Sequence, residues 1–106
     1  MIVKTTQDDF LDIRLRLTDD GKDVFLAEGE KIQFKTDGHA QIFMESCRYD
    51  DGGRIALQLD LSQFSILAGT YRFEINFISA DGSKVCLSPL HENQLIVYPK
   101  AGDEDE

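Results

Sequence analysis

In a chain of 106 residues, chemistry would have to come from the carboxylates, two cysteines, two histidines or the serines. The acids fall in pairs, Asp8-Asp9, Asp19-Asp20 and Asp50-Asp51. Two carboxylates on either side of a cleft can share the acid and base roles of hydrolysis. These pairs cluster in turns, where Asp hydrogen-bonds its own backbone, and a turn role is expected of them. Asp19, Asp20 and Asp23 could offer loop oxygens to calcium, but further ligands at a known spacing are missing. Cys47 with His39 or His91 would be a nucleophile and its base. Cys47 falls within a strand, with no helix N-terminus nearby to favour the thiolate, so a buried or half-buried inert thiol is expected. Ser62, Ser65 and Ser79 lack a G-x-S-x-G elbow. Asp51-Gly52-Gly53 lacks the lysine and helix of a phosphate-cradling loop. No CxxC is present, and the two histidines are far apart in sequence, so no zinc site is expected. The expectation is a non-enzymatic protein without catalytic residues, metal or cofactor.

The elements that would position any site are strands. Ile13, Leu15 and Leu17 alternate with Asp12, Arg14 and Arg16. Ile55, Leu57, Leu59 and Leu61 alternate with Ala56, Gln58 and Asp60, and Tyr71, Phe73, Ile75 and Phe77 with Arg72, Glu74 and Asn76. Successive strand residues point to opposite faces, so each segment has one apolar and one polar face. Asp-Gly pairs at 20–21, 37–38, 51–52 and 81–82 punctuate these segments and tolerate the positive φ of tight turns. The pattern predicts strands near 10–18, 23–27, 31–36, 40–48, 54–61, 70–79, 84–88 and 94–98. Residues 62–68 break the alternation and read as a helical turn or a crossover between sheets.

Seven or eight short strands at this spacing predict an all-β fold, an immunoglobulin-like antiparallel β-sandwich. A small barrel is the alternative. Leu67, Gly69 and Tyr71 match a tyrosine corner, in which a Tyr opening strand F bonds back to the chain just upstream. On that reading 54–61 is strand E, 70–79 is F and 84–98 covers G and its approach. Pro99 closes the last strand, because proline cannot donate to a ladder. Residues 1–99 are expected to form a single domain and 100–106 a disordered acidic tail. Some apolar residues fall on the polar face of their strands: Phe43, Ile78 and Ile96 are candidates for a protein interface.

The formal net charge is −9, from 20 acids and 11 bases. It argues against a nucleic-acid partner and against a polybasic membrane contact. Asp103 to Glu106 carry four of the negatives, leaving 16 acids against 11 bases, or −5. The acidity is therefore tail and turn chemistry more than a functional face. No signal-peptide pattern or membrane-length apolar run is present, and reduced cysteines are expected.

The order of elements resembles the N-terminal immunoglobulin-like domain of phage baseplate upper proteins, from tailed phages of Gram-positive bacteria. The likeness runs over about residues 8–99. It comprises the Asp9–Leu17 strand, the turn at Asp19-Asp20-Gly21, Val24-Phe25-Leu26, and Ile32 to Phe34 leading to Asp37-Gly38. It continues through Ile55–Leu61, Gly69-Thr70-Tyr71-Arg72-Phe73, Asp81-Gly82, Ser88-Pro89 and Leu95–Tyr98. The resemblance implies a structural adaptor in a virion, made in the host bacterial cytoplasm. Its partners would be other virion proteins, including itself in a symmetric oligomer, with no small-molecule substrate. In the family the domain leads through a helical stretch to receptor-binding modules. Here only the acidic tail follows, so a small virion component is the form expected: a baseplate, tail, neck or head-decoration piece, or a fibre attachment unit. The other classes are a carbohydrate or host-protein binding module, disfavoured by the absence of Trp, and an acidic inhibitor of a host enzyme, disfavoured by Arg14, Arg16, Arg54 and Arg72 interleaved with the acids.

Overall fold

A computed structural model describes residues 1–37 and 42–100. His39, the start of the expected 40–48 strand, the glycine of the Asp37-Gly38 turn and all but Lys100 of the acidic tail lie outside the described residues. The strands, in chain order, are β1 (Ile2–Thr6), β2 (Phe10–Leu15), β3 (Thr18–Asp19), β4 (Lys22–Asp23), β5 (Lys31–Thr36), β6 (Phe43–Ser46), β7 (Ile55–Asp60), β8 (Gly69–Ile78), β9 (Lys84–Ser88) and β10 (Gln94–Tyr98). Single turns of 3-10 helix occur at Leu61–Gln63 and Leu90–Glu92.

Two sheets carry the fold. The larger runs β1-β10-β8-β5-β6, with β9 paired to the far end of β8, and the smaller is the antiparallel pair β2-β7. All ladders are antiparallel except β1 on β10. In immunoglobulin terms β2 and β7 are B and E, while β6, β5 and β8 are C′, C and F, with β9 and β10 together in the place of G. The chain is an immunoglobulin-like β-sandwich.

The period-two pattern is why it closes. Leu11, Ile13, Ile55 and Leu57 face inward from β2-β7 and meet Ile32, Phe34, Phe73, Ile75, Leu95 and Val97 from the larger sheet. Phe34 and Phe73 are fully buried and stacked, with ring centroids 4.6 Å apart.

Three departures from the sequence reading have local causes. The expected 10–18 strand is interrupted at Arg16-Leu17, and its end becomes half of the β3-β4 hairpin around Asp20-Gly21. Both turn residues have positive φ, 52° and 77°, the condition of a type I′ turn. The expected 23–27 strand is strand only at Lys22–Asp23. Beyond it the backbone is satisfied by other partners: Leu26 N–H donates to Tyr49 Oη at 2.8 Å and Ala27 N–H to Glu30 Oε1 at 2.6 Å. The N-terminal strand β1 has no counterpart in the sequence pattern, because Val3 and Thr5 are its inward residues and a lone Val-x-Thr carries little hydrophobic signal.

Candidate interaction site

The two ends of the sandwich are built differently. At one end the chain crosses between sheets through 61–68. Asp60 caps the first 3-10 turn by accepting from Ser62 N–H at 3.0 Å. Tyr71 Oη then donates to Leu67 carbonyl oxygen at 2.5 Å, and Gly69 between them has φ 153°, a backbone conformation suited to glycine. Leu67, Gly69 and Tyr71 thus lie together at the start of β8. Beside them is an open cleft whose lining includes Phe64, Ile66, Leu67, Asp8, Ser62 and Lys100. Gln7 ties its walls: Nε2 donates to Ile66 oxygen at 2.7 Å, and Oε1 accepts from Lys100 N–H at 3.2 Å. Among the described residues Asp8 is the one carboxylate lining the cleft, and it accepts from Thr6 Oγ1.

At the opposite end the turn acid Asp50 organises the 50–54 loop. Its Oδ1 accepts from the N–H groups of Gly52 and Arg54, and its Oδ2 from Arg14 Nη1 and Arg54 Nε. These bonds, led by that from Arg54 N–H, hold the carboxyl down at about 2. Asp50 is therefore a structural acid. Asp23 pairs with Arg16 at 2.9 Å. Among the described residues no group of three or more His, Cys, Asp and Glu is arranged to hold a metal ion. Cys47, expected buried or half-buried, is exposed, as is Cys86. The reason is that β6 stops at Ser46, whose Oγ accepts from Arg48 N–H, leaving Cys47 past the ladder. Ser62 is exposed, Ser79 donates to Asp81, and His91 lies exposed in the second 3-10 turn.

Phe43, Ile78 and Ile96 all belong to the outer face of the larger sheet, the side away from β2-β7, as the register shows: Phe43 pairs with Lys35, Ile78 with Lys31, and Ile96 with Thr70. They do not form one patch. Phe43 is 51% exposed, whereas Ile78 and Ile96 are half-buried. A polar band crosses the strands between Phe43 and Ile78. Lys31 Nζ meets Glu45 at 2.8 Å, Gln33 Nε2 donates to Glu45 at 3.2 Å, and Asn76 Nδ2 donates to Gln33 Oε1 at 3.0 Å. The Lys31 bond holds the Glu45 carboxyl below its usual range. Toward Ile96 the face carries Arg72, whose Nη1 donates to His91 oxygen at 3.2 Å.

A continuous apolar feature lies instead on β9. The sequence predicts strand G and its approach over 84–98. The structure divides it. β9 pairs with Ile75–Ile78 of β8, β10 pairs with Gly69–Arg72, and residues 89–93 leave the ladder between them. Pro89 cannot donate to a ladder, and the 3-10 turn follows it. Asn93 closes the break from inside. It is fully buried, and its Nδ2 lies 3.1 Å from Phe73 oxygen, 2.9 Å from Pro89 oxygen and 2.8 Å from Ser88 Oγ. The ladder slips by one residue at Ile75/Asn76, which leaves Leu87 as the extra residue of a bulge.

Among the described residues β1 covers only β10, and β9 has a strand on one side alone. Lys84, Val85, Cys86 and Leu87 are all exposed, Val85 at 56% and Leu87 at 47%. The strand has no acid and no proline. An edge of this kind presents unpaired N–H and C=O groups beside apolar side chains, the arrangement that recruits a further strand. The Val-x-Leu alternation was visible in the sequence; the missing neighbour was not, because it follows from where β1 ends.

No protein-family model matches the chain, and no curated protein matches it. Among solved structures it is similar to murine CRIg, with a TM-score of 0.41 and 10% identity over 93% of this chain and 92% of that one.

Proposed function

We propose that this chain is a non-enzymatic interaction module that joins other proteins by accepting a strand on the open edge of β9. The observation that carries the reading is the one-sided pairing of β9 together with the exposure of Val85 and Leu87. Strand addition supplies main-chain hydrogen bonds for affinity, and alternate side chains supply specificity. The setting we propose is a phage virion, with other virion proteins as partners. That part rests on the resemblance over residues 8–99 to baseplate upper proteins. The acid-rich composition suits protein rather than nucleic-acid contact.

The experiment is sedimentation of the chain with particles of the phage that encodes it, as wild type and as Val85→Lys/Leu87→Lys. Both positions are exposed, so the double variant is expected to fold. The wild type is expected in the particle fraction and the variant in the supernatant. A wild type that never sediments removes the virion role, and a variant that sediments as fully as the wild type removes β9 as the contact.

A further inference from the structure

We infer that β9 also pairs with β9 of a second copy, antiparallel, about a two-fold axis at Cys86. This deepens the strand-addition reading above and rests on it. The register follows from the strand's own residues. Centring the axis on Cys86 sets Lys84 opposite Ser88 and Val85 opposite Leu87, with regular pairing held over Lys84–Cys86 and bent at the Leu87 bulge. The only charge in the strand, Lys84, then faces a neutral hydroxyl. A parallel in-register pairing would instead set Lys84 against Lys84, which is destabilising. Shifting the antiparallel axis to Val85 brings Ser83, outside the strand, opposite Leu87 and leaves Ser88 unpaired.

Charge permits self-contact at this edge. Two copies with formal charge −9 repel in general, and β9 is acid-free. Val85 shares a sheet face with Phe77, which packs against the core, so the exposed Val85 extends that apolar surface to the edge. A two-fold contact of one edge with itself is isologous and closes at the dimer, so it does not propagate into fibres. The strand pair alone covers less than the ~1,000 Å² of a stable interface, so the dimer is reversible and depends on concentration.

The register makes a chemical prediction. Residues directly opposite in an antiparallel pair have Cα atoms about 4.5–5.5 Å apart, within the span of a disulfide. The two Cys86 Sγ atoms therefore come within bonding reach across the axis. Diamide is the probe. It takes two electrons and two protons from the thiol pair, becoming the hydrazine as the S–S bond forms.

The test combines light scattering and diamide treatment in a Cys47→Ser background, because Cys47 is also exposed. The mass is expected to rise with concentration from 12.0 kDa toward twice that value. Diamide should give a reducible dimer that disappears in Cys47→Ser/Cys86→Ser. Val85→Lys/Leu87→Lys should remain at the monomer mass with an unchanged circular dichroism spectrum. A chain that stays monomeric into the millimolar range, or a dimer that Cys86 does not cross-link, overturns self-pairing. If that monomer still enters particles through β9, the wider module reading stands without self-pairing. If the β9 variants enter particles as fully as wild type, the wider reading falls as well.

Discussion

Phe73→Ala is expected to cost about 3–5 kcal/mol of folding stability, the range for removing a fully buried aromatic ring. Phe73 has no exposed surface and stacks on Phe34, also fully buried, between strands β8 and β5. These are the strands to which β6, β9 and β10 attach, so the cavity would open where the larger sheet is held together. A domain of this size has about 5–15 kcal/mol in hand. The variant should therefore unfold at much lower urea with a similar slope, because a similar surface is exposed on unfolding. Urea titration followed by circular dichroism reads this directly. A loss below about 1 kcal/mol would mean that the core does not converge on the Phe34–Phe73 pair.

The second large effect is expected at Asn93, which holds the break in strand G. Its amide nitrogen meets the carbonyls of Phe73 and Pro89 in a fully buried site. Asn93→Ala removes the amide donor from the Phe73 carbonyl, at about 1–3 kcal/mol for a buried acceptor left unsatisfied, whereas Pro89 oxygen still accepts from Glu92 N–H at 3.1 Å. Asn93→Asp should cost more near neutral pH, because it aims a buried carboxylate at the same carbonyls. Burial raises a carboxyl's folded pKa above its unfolded value of about 3.9. Protonation then restores a donor. The Asp variant should be at its most stable, relative to wild type, below about pH 4, and should lose ground as pH rises through the raised folded value. Urea unfolding of both variants across pH reads the effect. A deficit of Asn93→Asp that stays constant with pH would show that the site is open to water. Because Asn93 fixes the approach to β10, Asn93→Ala should also loosen the lower end of β9.

The residues whose burial follows period two were legible in the sequence. The strands at 31–36, 84–88 and 94–98 have the bounds that alternation and turn chemistry predict, and 54–61 and 70–79 differ by a residue at each end. The hairpin at Asp20-Gly21 was legible because only a few residue types accept positive φ at both turn positions. Less legible were features set by tertiary partners. Val24 to Ala27 reads as strand by composition, but the Tyr49 hydroxyl and the Glu30 carboxylate occupy backbone N–H groups there. Phe43, Ile78 and Ile96 were identified from their parity in the strands, which gives the face and not the neighbours. The cross-strand polar band from Lys31 to Asn76 that divides them appears only when the register is known. The open edge at β9 was hidden for the same reason. Pro89 signals the end of a strand, but only the placement of β1 against β10 shows that no described strand continues along β9.

The free side of β9 is where we propose that this protein meets other chains. Amide hydrogen exchange at Lys84 to Ser88, compared between dilute free chain and the assembled state, measures this most directly. In the free chain the N–H groups on the open side of β9 should exchange rapidly, while their neighbours bonded to β8 are protected. In the assembled state the open-side groups should slow to the level of those neighbours, because an added strand takes their protons. Unchanged exchange along β9, with new protection around Phe43 or Ile96 instead, would contradict the account and move the contact to the outer face of the sheet.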